Sequence, residues 1–305
     1  MRRLVQPGPV APVRLQSCEG RSGAATFLLE PGLTLNEAIT RPLLAHGIQG
    51  GTVTIGGEAK GEAGALAPLT YVIPAQSPDA EHAAYYSLPR RVAGGARIER
   101  ADVTVGWRDG APFIHCHGTW IEPDGSRRGG HVMPHDTMVS RPAWARARGL
   151  GEATFRAEPD PETNFTLFRP VARGGASNDP AGPRALLACV RPNEDICEAL
   201  VTLCRLHQFE TACVRGIGSL VGAAFEDGRS VSSHATEAFI RHGEVRPGAE
   251  GSPEATLDVA LVDMDGAIHE GRLARGRNAV CMTFELFIEE TGRRDDGSGQ
   301  AGGSR

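Results

Sequence analysis

The sequence predicts an α/β protein built as two tandem copies of one unit. Three observations predict it. A strand and capped helix recur 161 residues apart, an Asp-Gly hairpin recurs 141 residues apart, and a Gly/Pro-rich stretch lies between the copies. The helix starts are Thr34-Leu35-Asn36-Glu37 and Asp195-Ile196-Cys197-Glu198. Each has a capping residue followed three places on by glutamate, the pattern of a capping box. At the same offset Pro31 meets Pro192, His46 meets His207 and Gly57 meets Gly218. Asp124-Gly125 and Asp265-Gly266 are hairpin turn signals, and Gly130 meets Gly271 beyond them. A single matched glycine means little, but a cap, a helix and a hairpin recurring in order are an internal repeat.

Taken in order, residues 1–24 are rich in Pro, Gly and Arg and read as an extended arm, with one edge strand at Val13-Arg14-Leu15. The first unit spans 25–171. It opens with a strand at 25–29 and a helix from Thr34 to His46, which Pro42 is expected to kink or split. A buried strand at 52–55 runs into Gly56-Gly57, and 58–95 read as irregular. About twenty residues more than the second copy has fall in that stretch, a tolerable insertion for a loop. Strands follow at 97–107, 113–120 and 127–133, then a strand or bulge at 136–139 and a return to the sheet at 150–157. Asp160-Pro161-Glu162-Thr163 closes the unit. Residues 172–183 read as a linker, 184–290 as a second, degenerate unit, and 291–305 as a disordered tail.

The chemistry concentrates in the first hairpin, Phe113-Ile114-His115-Cys116-His117-Gly118-Thr119-Trp120 and Gly129-Gly130-His131. Strand side chains alternate faces, so His115 and His117 share one face and Cys116 takes the other. The Asp124-Gly125 turn brings His131 close to opposite His117, within cross-strand reach. Three neutral imidazoles converging from paired strands suit zinc or a similar divalent ion, one per chain, with a fourth position open. The bland alternative is three hydrogen-bonded histidines of an ordinary sheet. In the second copy Thr256, Asp258 and Arg272 replace the cluster, and His269 lies outside the matched register. An Asp beside an Arg reads as an ion pair, so no metal is expected there. The expected division is one metal-bearing copy and one structural or regulatory copy.

Composition bounds the rest. The 305 residues are 40% hydrophobic and 23% charged, with a net charge of −5, and the pI is near 6.1. No global basic field draws the chain to nucleic acid or an anionic membrane. Seven scattered cysteines without C-x-x-C suit reduced, buried thiols. No eighteen-residue apolar run occurs, and the two N-terminal arginines are not followed by an apolar leader. The expected setting is the cytoplasm, with no membrane partner.

With a capped helix between strands, H-x-H, Asp-Gly, Gly-Gly-His and Asp-Pro-Glu-Thr-x-Phe, the unit resembles the PPC (plants and prokaryotes conserved) domain, also catalogued as a domain of unknown function. The resemblance covers roughly 25–168 and, more weakly, 185–290. It implies a mostly antiparallel sheet with a helix packed on one face, and assembly as trimers. From the bacterial and archaeal members it implies a zinc ion held by three histidines, here His115, His117 and His131. Plant members pair the domain with a DNA-binding AT-hook. The nearest stretch here, Arg275-Gly276-Arg277-Asn278, lacks the proline and the basic surround.

Three functions compete. The first is metal-dependent chemistry on a small molecule, with Glu122, Asp136 or His135 as general-base candidates by proximity; His135 is also a spare ligand, and no catalytic residue is assigned. The second is a regulatory or DNA-associated module using local pairs such as Arg90-Arg91 or Arg127-Arg128, against the acidic balance. The third is a non-catalytic assembly module in which the metal is structural. The expected assembly is a homo-oligomer, or tandem copies paired within one chain.

Overall fold

The computed structural model describes residues 1–56, 64–248 and 251–292. The elements run β1 (Leu15–Arg21), β2 (Gly23–Leu28), α1 (Leu35–Ala45), β3 (Gly50–Gly56), β4 (Ala65–Leu66), β5 (Leu69–Val72), β6 (Pro74–Ala75), β7 (Tyr85–Tyr86), β8 (Arg90–Val92), β9 (Ala96–Arg108), β10 (Ala111–Ile121), β11 (Arg127–Val132), β12 (Val139–Arg141), β13 (Trp144–Leu150), β14 (Ala153–Pro159) and β15 (Thr166–Ala172). They continue as β16 (Arg184–Val190), α2 (Ile196–Leu206), β17 (Ala212–Leu220), β18 (Ala223–Ala224), β19 (Ser230–Val231), β20 (Thr236–Pro247), β21 (Pro253–Val262), β22 (Ile268–Arg272) and β23 (Val280–Glu290).

Two sheets repeat one topology. The first has the order β2-β13-β3-β9-β10-β11, the second β16-β23-β17-β20-β21-β22. Both are antiparallel along that path, and a short parallel pairing of β14 with β9 stands outside it. The hairpin register repeats as well: His117 lies opposite His131, and Asp258 opposite Arg272. Gly125 and Gly266 hold the two turns at φ 84° and 81°, a left-handed conformation that a β-carbon would strain.

Each sheet buries one face under its helix. In the first unit Ile39 and Leu43 of α1 pack on Val53, Val103, Ile114 and Cys116. In the second, Leu200 and Leu203 of α2 pack on Val214, Val259, Phe284 and Leu286. Thr34 caps α1 with both halves of a capping box. Asp195 caps α2 through the Cys197 and Glu198 N–H groups, but the reciprocal half of the predicted box is missing, because Glu198 turns to Arg275 instead. Pro42 does not split α1, which runs unbroken to Ala45. The ring removes one hydrogen bond near the last turn, where burial of Leu43 holds the helix.

Three other expectations need correction. Residues 58–95 are not irregular throughout: β4 to β8 fall there, β5 pairs with β11, and β8 pairs with β5. The arm ends in a true strand, later than expected, and β1 adds to the second sheet along β16 rather than to its own unit. Residues 293–305 of the expected tail, and Gly57 of the matched pair, lie outside the described residues.

The other faces of the sheets meet each other. Strands β9, β10 and β11 lie near β17, β20 and β21. By the repeat, these partners correspond to β3, β9 and β10, so the packing is shifted by one strand and is heterologous rather than twofold. The β14–β15 hairpin seals one end, with Phe155 and Phe168 against Leu187, Cys189 and Phe287.

Candidate metal centre

Strand alternation sends Cys116 into the α1-side core and His115 and His117 to the face that meets the second unit. The three histidines of the first hairpin converge there, with one ring nitrogen from each lying within 4.8 Å of the others. His117 is 1% exposed. The Ala238 carbonyl lies 2.9 Å from His117 Nδ1 and can only accept, so that nitrogen carries a proton. His115 Nδ1 lies 2.9 Å from Glu285 Oε2, and donating there leaves its Nε2 lone pair free. The Nε2 atoms of His115 and His117 then face one another at 2.9 Å. This is the orientation that outer hydrogen bonds impose on metal-binding imidazoles.

The second unit supplies two carboxyls that sequence reasoning did not find. Glu237 Oε2 lies 2.9 Å from His117 Nε2, and Glu285 holds His115. Burial alone would raise Glu237, but the charge of His117 and its hydrogen bond hold that carboxyl below its ordinary value. Burial likewise opposes the charge on His117, yet Glu237 wins and raises it. His115 is pushed down to about 3, first by burial and then by the neighbouring charge of His117. His131 is lowered for the same reasons, with His115 adding to the repulsion. Glu285 is pushed up to about 8 by burial. Two imidazoles are thus held neutral with their lone pairs available, which is what a divalent cation requires of its ligands.

The site opens into a cavity of about 570 Å³ that reaches His115, His131 and Glu285. Part of its wall is the insertion of the first unit: Tyr85 and Tyr86 of β7 project over the cluster, and the Tyr86 ring lies 5.5 Å from that of His131. Of the predicted bases, His135 and Asp136 line this cavity but stand apart from the cluster. Glu122 is elsewhere, 3.4 Å from the Tyr71 hydroxyl.

Comparison with known proteins finds similarity in the second half of the chain. Residues 178–292 match the family model described as the Plants and Prokaryotes Conserved (PCC) domain. That stretch is similar to a PCC domain. Among solved structures it is similar to a plant- and prokaryote-conserved (PPC) protein of Pyrococcus horikoshii, at 17% identity and a TM-score of 0.37, over 53% of this chain and 97% of that one. It is also similar to a protein of Archaeoglobus fulgidus described as metal-containing, at 19% identity and a TM-score of 0.38, over 49% of this chain and 94% of that one. A search of the curated proteins returned no match.

The matched stretch is the copy without the histidines. The copy with them repeats its strand order and register, so the chain is a tandem whose candidate centre lies where the copies touch. Registers give the counterparts of the two carboxyls. Glu237 pairs with Val262 as Arg97 pairs with Ile121. Glu285 corresponds to Trp144, because Leu286 lies opposite Gly216 as Ala145 lies opposite Ile55. The sequence does hold this signal, acids on the outward face of two strands of the second copy. What it lacks is the one-strand shift that aims them at the histidines.

Proposed function

We propose that His115, His117 and His131 hold one divalent metal ion, with zinc suited to three imidazoles, and that the adjoining cavity brings a small molecule to it. The observation that carries this reading is the pair of Nε2 atoms facing each other at 2.9 Å while both Nδ1 atoms are occupied. A bound divalent ion would supply Lewis acidity toward a carbonyl or phosphoryl oxygen. The protein's own part is to orient the imidazoles through Ala238 and Glu285. Tyr85 and Tyr86 limit the entry of water. Elemental analysis of protein purified without added metal tests the reading. The expected result is close to one equivalent per chain, lost in His117→Ala. Full retention in a His117→Ala, His131→Ala double variant would overturn it.

A second reading rests on a different observation: the cluster straddles the contact between the copies, since Glu237 and Glu285 belong to the second. On this reading the ion is structural and fastens one copy to the other. Removal with a chelator then lowers the melting temperature sharply. On the first reading it abolishes turnover and leaves folding and assembly nearly intact. No observation favours a nucleic-acid partner: the guanidinium of Arg275, in the stretch nearest to an AT-hook, is taken by Glu198.

A further inference from the structure

We propose that the cavity beside the histidine cluster binds an aromatic carboxylate, its ring held among Tyr85, Tyr86, Phe113, Phe165 and Phe168 and its anionic end at Arg108. The inference deepens the metal reading and rests on it, because the other end of the ligand lies at the histidines.

Aromatic residues are scarce in this chain, which has ten Phe, three Tyr and three Trp. Three of those Phe and two of the Tyr line this one cavity. They come from separate places: β7 of the insertion, β10, and the turn and second strand of the β14–β15 hairpin. Their ring centroids are spaced for stacked or edge contact, with Tyr85 to Phe165 at 5.8 Å, Tyr86 to Phe165 at 5.6 Å and Phe113 to Phe168 at 6.1 Å. Such a wall gives a flat apolar ring the contacts that an aliphatic chain cannot match.

Polarity then orients the ligand. The charged lining side chains are Arg108, the exposed Asp136 and the buried Glu285. The guanidinium of Arg108 lies over the Phe113 ring, 5.4 Å from its centroid, so the cation is carried onto the aromatic wall. Among the described residues its only competing ion pair is with Asp109 at 3.6 Å, a carboxylate that is itself 92% exposed. Along β10 the order is Arg108 (opposite Ala111), Phe113, then His115. From Ala111 to His115 is four residues of strand, roughly 13 Å, so a benzene ring with a polar group at each end fits between guanidinium and imidazoles. A carboxylate is the group that a planar guanidinium holds through two parallel hydrogen bonds.

The test is calorimetric titration of the full chain, as purified with its metal, using three probes. These are 4-carboxybenzohydroxamate, its 4-carboxamide counterpart and acetohydroxamate, which carries the chelating group alone. We expect the aryl carboxylate to bind at least tenfold more tightly than either of the others. In Arg108→Gln the preference for carboxylate over carboxamide should fall to within about twofold, with metal content unchanged. Tyr85→Ala should reduce the affinity of both aryl probes while leaving acetohydroxamate as before. Metal present with all three probes binding alike overturns the ligand class and leaves the metal reading standing. Metal absent by elemental analysis overturns the metal reading and this inference with it.

Discussion

The two hairpins differ in almost nothing but side chains. Their turns, glycine conformations and cross-strand register coincide, yet one presents His117 opposite His131 and the other Asp258 opposite Arg272. The second pair does not form the expected ion pair. The half-buried Asp258 turns to Arg241 at 3.7 Å, and the exposed Arg272 to Glu226 at 3.8 Å. The first hairpin is buried against the carboxyls of the neighbouring copy. By the heterologous shift, the second faces nothing equivalent, since the counterparts Arg97 and Trp144 are exposed on the first copy. A centre here needs the right residues on one copy and the right neighbour from the other. The expected partition into a metal-bearing copy and a structural or regulatory one leaves out that the second copy brings Glu237, Glu285 and the Ala238 carbonyl to the cluster.

The strongest way to break this comparison is at the centre itself. His131→Ala should reduce bound metal from about one equivalent to a small fraction, while Arg272→Ala at the matched position changes nothing. A variant carrying Thr256→His, Asp258→His and Arg272→His should still hold only one equivalent by elemental analysis. Two equivalents would show that three histidines on this hairpin suffice without the neighbouring carboxyls.

Next in size are the helix-to-sheet cores. Ile39→Ala under α1 and Leu200→Ala under α2 should each cost about 2–5 kcal/mol, because both side chains are fully buried. The shared β14–β15 seal and the crossing of β1 into the second sheet should make both variants lower one common transition in calorimetry. Two separate transitions, each responding to one variant, would mean that the copies fold independently.

A smaller effect is expected where one copy serves the other. Glu285→Ala should weaken metal affinity by roughly 10–100-fold in competition with a chromophoric chelator, the usual scale for losing an outer partner of a metal-binding histidine, because Glu285 holds the Nδ1 of His115. An unchanged affinity would remove the second copy from the account of the site.

The smallest contrast lies in the helix caps. Thr34→Ala should cost about 1 kcal/mol. Asp195→Ala should lie at the upper end of the cap range, about 2 kcal/mol, because that carboxylate also accepts from the buried Asn278 N–H. Equal losses in urea denaturation would show that the extra bond contributes nothing.

The sequence by itself determined the repeat, the strands around each hairpin, the shared face of His115 and His117, and the pairing of His117 with His131. All of these follow from short-range rules: side chains alternate along a strand, Asp-Gly closes a tight turn, and Thr or Asp with a following glutamate marks a helix start. Local signals were less decisive where burial overrode them, as at Pro42, or where a charged partner from a distant loop drew Glu198 away from its cap. Only the tertiary structure decided that β1 crosses to the other sheet, that the insertion places Tyr85 and Tyr86 over the histidines, and that Glu237 and Glu285 complete the cluster. The physical reason is that face-to-face packing of two sheets depends on how two whole surfaces fit. A shift by one strand changes every partner at the interface while leaving the pattern within each strand untouched.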